Sequence, residues 1–150
     1  MASDDETIGT IELELLTLVR LLETLSRRTT LYSEVDRSGY LALRMLDRRG
    51  PMATNALAET LQLDGSTVTR QINALASAGF ADRHPNPTDR RSSDLVITSS
   101  GEATMKRVER ERRKMLHAMF ERWTPTDRAD LGRMLTMLNG VLVDEVTKTM

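Results

Sequence analysis

Between Ser66 and Asn73 the chain sets out hydroxyls, an amide and one guanidinium at helical spacing: Ser66, Thr67, Thr69, Arg70 and Asn73. Wound at 3.6 residues per turn, Ser66, Thr67, Arg70, Asn73 and Ala74 share one side. Thr69 and Gln71 flank it, and Val68, Ile72 and Leu75 fall opposite. The chemistry such groups offer is hydrogen bonding. Small side chains let a helix sink into the major groove of a duplex, hydroxyls and amides meet base edges or phosphates, and an arginine pairs bidentately with guanine. A second set follows at Asp89, Arg90 and Arg91, just past Pro85 and Pro87. Arginines on a projecting loop suit a narrow minor groove, where negative potential concentrates, and a neighbouring carboxylate such as Asp89 can hold a guanidinium ready.

Chemistry of other kinds finds little support. His84 and His117 lie far apart without metal-ligand spacing, and there is neither a nucleophile motif nor a glycine-rich phosphate loop. The absence of cysteine excludes disulfides, thiolate zinc sites and thiol-based peroxide sensing. The expectation is a protein that is not an enzyme and needs no cofactor and no metal. His84, beside the arginine loop, is a candidate phosphate contact, and His117 a structural or surface histidine.

The elements that must position these residues can be read on either side. TNALAETLQL and DGSTVTRQINALASAGF are two short amphipathic helices in succession. Asp64 is a good N-cap for the second, because its carboxylate accepts from the free N–H groups of the first turn, and Gly79 is a natural stop. Leu57, Ala58 and Leu61 face inward on the first helix, with Leu63 in the turn. Phe80–His84 predicts a strand. The prolines of Pro85-Asn86-Pro87-Thr88-Asp89 end it, and Leu95, Val96 and Ile97 supply a β-branched return. A helix pair followed by a hairpin is the layout of a winged helix-turn-helix, although the helix pair alone also fits a plain bundle.

The residues of this stretch resemble the MarR family of bacterial transcriptional regulators. The resemblance is carried by Leu57-Ala58, Ser66-Thr67-Val68-Thr69-Arg70, Leu75, Gly79-Phe80 and Arg83, continued by Asp89-Arg90-Arg91-Ser92, Leu95-Val96-Ile97-Thr98 and Gly101. It covers about residues 54–101 closely, and the flanking helices match in placement. The family likeness implies a homodimeric winged-helix DNA binder, often a repressor released by small phenolic or lipophilic ligands. It puts Ser66, Thr67, Thr69 and Arg70 at DNA-contacting positions and Asp89 and Arg91 at the wing's Asp-x-Arg pair. Asn86-Pro87 departs from the Asp-Pro of many members, a change in the wing's turn rather than its charge.

Whole-chain properties add limits. With 150 residues the chain is about one domain. Its 39% hydrophobic and 29% charged content are ordinary, and 3% aromatic content argues against base stacking on single strands. A formal net charge of −1 excludes a generic polyanion binder, so DNA binding must rest on a local patch. The acids Asp4, Asp5, Glu6, Glu12, Glu14, Glu23 and Glu34 outnumber the arginines of the first 35 residues and offset cations elsewhere. Met1–Glu6 is acidic where a secretion signal would be basic, and no apolar run approaches a membrane span. The expectation is a cytoplasmic protein with no membrane partner.

Both ends predict assembly. Ile8, Ile11, Leu15, Leu18, Leu22 and Leu25 recur at alternating steps of three and four, and Leu13, Leu16, Val19 and Leu21 widen the stripe. Thr124-Pro125 opens a last helix bearing Leu131, Met134, Leu135, Leu138, Val141, Leu142 and Val146. One monomer's core needs one stripe, so the surplus predicts a symmetric homodimer through Ile11, Leu15, Leu18, Leu22, Leu135, Leu138 and Leu142. Between them, Thr98 caps a long helix whose charged middle pairs Glu109 with Arg113, a solvated surface. Met105, Met115, Met119, Met134 and Met137 suit core filling or an adaptable effector pocket, and Tyr32 and Tyr40 offer hydroxyls, but nothing in the sequence locates such a pocket.

The fold class read from this is mainly α with a small β-hairpin wing. Dimerisation helices occupy 8–30 and 125–147, the winged helix-turn-helix 38–98, and a connecting helix 99–123. The expected function is that of a sequence-specific DNA-binding transcriptional regulator. By the family likeness it is a repressor, a homodimer on a palindromic operator, released by a small apolar or phenolic effector. A nonspecific architectural DNA binder and a helical protein-interaction scaffold are the alternatives.

Overall fold

In the computed structural model, residues 3–89 and 91–149 are described, and they form two units, divided after Tyr32. The first is α1 (Asp4–Arg28), four residues earlier at its start than the sequence predicts. Ser3 and Glu6 explain the earlier start. The Ser3 hydroxyl accepts from the Glu6 N–H at 3.2 Å and the Glu6 carboxylate from the Ser3 N–H at 2.8 Å, a reciprocal cap. Asp4, Asp5 and Glu6 then meet the positive end of the helix dipole, and Arg27 and Arg28 the negative end. No residue of α1 is buried.

The second unit begins with α2 (Arg37–Arg49), β1 (Met52–Ala53), α3 (Thr54–Leu61) and α4 (Gly65–Ser77). It continues with β2 (Ala81–Pro85), β3 (Ser93–Ile97), α5 (Ser99–Met119) and α6 (Pro125–Thr149). Its core joins Leu43 and Leu46 of α2, Leu57 of α3, Val68, Ile72 and Leu75 of α4, Leu95 of β3, and Met105 and Val108 of α5. Each inward face expected for the helix pair is present, although Ala58 and Leu61 are only half-buried.

The expected hairpin wing is present with a third strand beside it, and two bounds need correction. The wing is the outer part of a three-stranded antiparallel sheet in the order β1-β3-β2, because Met52 and Ala53 pair with Leu95 and Asp94. β2 runs one residue further than predicted and includes Pro85, opposite Ser93. A proline is tolerated there because β2 is an edge strand, and its last residue needs no N–H. The connecting helix stops at Met119 rather than 123, where Phe120 and Trp123 pack edge to face at 5.0 Å. α6 starts where predicted, with the Asp127 N–H bonded to the Thr124 hydroxyl at 3.1 Å and the Thr124 N–H to the Asp127 carboxylate at 3.1 Å.

Wing, α4 and α5 meet at Gly79, Phe80 and Thr98. Gly79 takes φ +73°, a left-handed conformation that costs a glycine little. The Thr98 hydroxyl donates to the Gly79 carbonyl at 2.7 Å and accepts from the Gly101 N–H at 3.0 Å, so one side chain both caps α5 and ties it to the turn after α4. Gly101 sits so close that a Cβ there would lie 1.9 Å from the Phe80 carbonyl oxygen.

Candidate nucleic-acid interface

α4 presents its polar side to solvent as its periodicity requires. Ser66, Thr69, Arg70 and Asn73 are exposed, Thr67 is half-buried, and Val68, Ile72 and Leu75 are at most 2% exposed. The hydroxyls are not idle donors, however. Asp64 caps the helix by accepting from the Thr67 N–H at 2.8 Å, and it also takes the Ser66 hydroxyl at 2.5 Å and the Thr67 hydroxyl at 2.7 Å. These bonds, that from Ser66 foremost, hold the Asp64 carboxyl well below the usual carboxylate range. Thr69 spends its proton on the Gly65 carbonyl at 2.7 Å. Ser66, Thr67 and Thr69 therefore keep acceptor lone pairs for base amino groups but have no hydroxyl proton left for a phosphate. Arg70 makes no hydrogen bond or ion pair among the described residues, so its donors are free.

Two contacts fix this helix on its flanks. Gln71 donates to the Asp36 carboxylate at 2.9 Å, and the same oxygen caps α2 through the Gly39 N–H at 2.7 Å. On the other side, the Asn73 carbonyl accepts from the Arg83 guanidinium of β2 at 2.7 Å. The turn between α3 and α4 is made by Gln62 at φ 52°, a conformation no glycine or asparagine signals in the sequence.

The wing loop is organised by Asn86. Its carbonyl accepts from the Thr88 and Asp89 N–H groups, both at 2.8 Å, and from the Thr88 hydroxyl at 2.7 Å. Its amide donates to both carboxylate oxygens of Asp94, at 2.9 and 3.0 Å. Asp89 differs in detail from expectation. Its carboxylate accepts the Arg91 backbone N–H at 2.9 Å, and no ion pair joins the two side chains. It orders the loop that carries Arg91 and leaves the guanidinium alone. Arg90 lies outside the described residues.

α4 and the wing share one concave face. A cavity of about 680 Å³ is lined by Gly65, Val68 and Thr69 of α4, Ala53–Asn55, Ala58 and Glu59 at α3, and Arg91–Ser93 of the wing. His84 is exposed on β2, opposite Asp94. His117 lines a separate apolar cavity of about 540 Å³ between the end of α5 and the start of α6, with Arg113, Leu116, Phe120, Arg128 and Leu135 among its walls. Tyr40 is buried, with the Arg112 guanidinium 5.7 Å from its ring centre. Among the proposed dimer residues, Ile11, Leu18, Leu22, Leu135 and Leu142 are 40–49% exposed, and Leu15 and Leu138 are half-buried. Among the described residues no His, Asp or Glu cluster could hold a metal, and no helix is long and apolar enough to cross a membrane.

The residues that sequence reasoning missed are Arg83, Asn86 and the Asp36–Gln71 pair. Arg83 and Asn86 entered the sequence reading with no role given to either beyond the family likeness.

Comparison with known proteins gives the family and the fold. The MarR family model matches residues 36–93, from the cap of α2 to the start of β3. The HTH-type transcriptional regulator YxaD of Bacillus subtilis is 33% identical over 89% of this chain and 94% of its own length. A MarR family protein from Bacillus stearothermophilus superposes with a TM-score of 0.78 at 18% identity, covering 94% of this chain and 99% of that one. The PcaV transcriptional regulator from Streptomyces coelicolor, solved with its natural ligand, gives 0.73 at 21% identity over 93% and 98%.

Proposed function

The chain belongs to the MarR family of DNA-binding transcriptional regulators, and from that premise we propose that it is a homodimeric repressor of a palindromic operator, released by a small apolar or phenolic effector. In this reading Ser66, Thr67, Thr69, Arg70 and Asn73 of α4 face the major groove, and Asp89, Arg90 and Arg91 of the wing address the flanking minor groove. The observation that carries it is the shared concave face of α4 and wing, with Thr69 and Arg91 on its two sides. A duplex lying there meets a helix with one unpaired cation and no acid in its polar stripe, and a loop held in shape by Asn86 and Asp89. That this fold can hold a ligand is seen in PcaV, which carries its natural ligand in the solved structure.

Footprinting on the DNA flanking the protein's own gene tests this. Two protected half-sites about one helical turn apart are expected. Arg70→Ala should cost about 1–3 kcal/mol and relax one symmetric position in each half-site. Arg91→Ala should weaken binding to all sequences alike. Even protection without preferred sites would make the protein an architectural binder, and no protection at all a protein-interaction scaffold.

A further inference from the structure

We infer that Arg83 of β2 is a second DNA contact of the recognition surface, a phosphate ligand held against α4 by Asn73, so that Asn73 positions this cation and does not read a base. The inference deepens the reading of α4 as the recognition helix and rests on it.

Four observations lead there. Arg83 faces Leu95 across the β2–β3 ladder, and Leu95 is 1% exposed. Cross-strand partners point to the same face of a sheet, so Arg83 leaves the strand on its helix-packed side. From the sheet edge it reaches past the core, and its Nη2 lies 2.7 Å from the Asn73 carbonyl oxygen. Asn73 is one turn beyond Arg70 on the exposed polar stripe of α4, so the contact delivers a cation from the wing strand onto that stripe. Both Arg83 and Asn73 remain exposed.

The chemistry of the clasp matters as much as its place. An amide carbonyl orients a guanidinium without neutralising it, whereas a carboxylate would cancel the charge. Arg83 makes no ion pair among the described residues, and the bond to Asn73 uses one of five donors. The rest stay available in a fixed pose, which suits bidentate capture of a phosphate. The need is evident in the sequence of α4: Gly65–Ser77 carries Arg70 as its single cation, in a chain of net charge −1. Asn73, with its carbonyl turned to Arg83, no longer offers the free donor–acceptor edge with which an asparagine grips adenine.

The test uses the full chain on two duplexes, one from the DNA upstream of its own gene and one of random sequence, titrated at several salt concentrations. Arg83→Ala and Arg83→Gln should each weaken binding several-fold to both duplexes. Each should also lower the slope of log K against log salt by roughly 0.9 per protomer. Arg83→Gln keeps a donor toward Asn73, and an unchanged thermal midpoint shows that its loss is one of charge. Asn73→Ala should weaken binding while leaving the salt slope and the sequence preference intact, and should add nothing in an Arg83→Ala background. An unchanged slope in both Arg83 variants overturns the phosphate contact, and a shift of base preference in Asn73→Ala overturns its positioning role. Arg70→Ala, measured alongside, separates the failures: if it too is silent, the reading of α4 falls, and if it alone matters, only the inference does.

Discussion

A single carboxylate and a single amide set the shape of the surface proposed to meet DNA. Asp64 gathers the Ser66 and Thr67 hydroxyls and the Thr67 N–H, and these bonds depress its pKa. A group whose folded value lies below its ordinary one stabilises the fold above about pH 4, and the benefit is lost as pH falls through the folded value. Asp64→Ala should therefore lower the melting temperature by the same amount across about pH 6–8, with wild type and variant converging only in strong acid. A gap that closed on going from neutral to alkaline pH would contradict the assignment. Asn86 permits a sharper test. Its amide bridges both oxygens of Asp94, so Asn86→Asp would set two carboxylates against each other and raise the pKa of one. Protection of the Thr88 and Asp89 amides, which bond to the residue 86 side chain, should fall at neutral pH and recover in mild acid as the pair comes to share a proton. Equal protection at both pH values would show that the loop does not depend on this bridge. The family-like residues around Asn86 make its substitution for aspartate look minor in sequence. Its meaning lies in Asp94, eight residues on, and only the folded hairpin brings the two together.

At the level of elements, legibility followed periodicity. Val68, Ile72 and Leu75 repeat at helical spacing and are buried as that spacing demands, and the prolines and β-branched run of the wing located β2 to within one residue and β3 to within two, since β3 begins at Ser93. β1 is two residues long, too short for any alternation to show, and it exists because β3 offers a free edge to Met52 and Ala53. α2 has a readable stripe in Tyr40, Leu43 and Leu46, yet bounds of 38–98 take in all of it but Arg37 without resolving it as an element. Gln62 in the left-handed region carries no sequence signal at all, since the conformation is imposed by packing α3 on α4. The joint between wing and α5 was half visible: Thr98 reads as a cap, but the close approach of Gly101 to Phe80 does not. Gly101→Ala forces a Cβ against a backbone carbonyl that also accepts the Thr98 N–H. It should cost about 1–3 kcal/mol or more, as overpacking does. Denaturant unfolding would register this as a lower midpoint with unchanged slope, whereas wild-type stability would mean that the α5 start shifts freely against the wing.

At the scale of the molecule, the decisive quantity is the exposed apolar surface of the two terminal helices. Ile8, Leu13, Leu16 and Val19 of α1 are 56–64% exposed, and Met134, Met137 and Val141 of α6 are 52–59% exposed. Isolated exposed leucines are ordinary, but two 25-residue helices lined with them exceed what a soluble monomer shows. The core that is buried belongs almost wholly to α2–α5, so the winged unit should hold its fold when the terminal helices are altered. Obligate homodimers typically bury on the order of 2,000 Å² or more, an area within reach of helices of this length. Leu15→Asp with Leu22→Asp on α1, or Leu135→Asp with Leu142→Asp on α6, should thus convert a dimer to monomers in sedimentation at micromolar concentration. Operator affinity should collapse with it, because a palindrome is gripped by two copies, and half the salt dependence should vanish as one set of phosphate contacts is lost. Helical circular dichroism from the winged unit should persist. Wild type sedimenting as a single chain, or variants that bind the operator as tightly as wild type, would remove the dimer from the account and leave each α4 to read DNA alone.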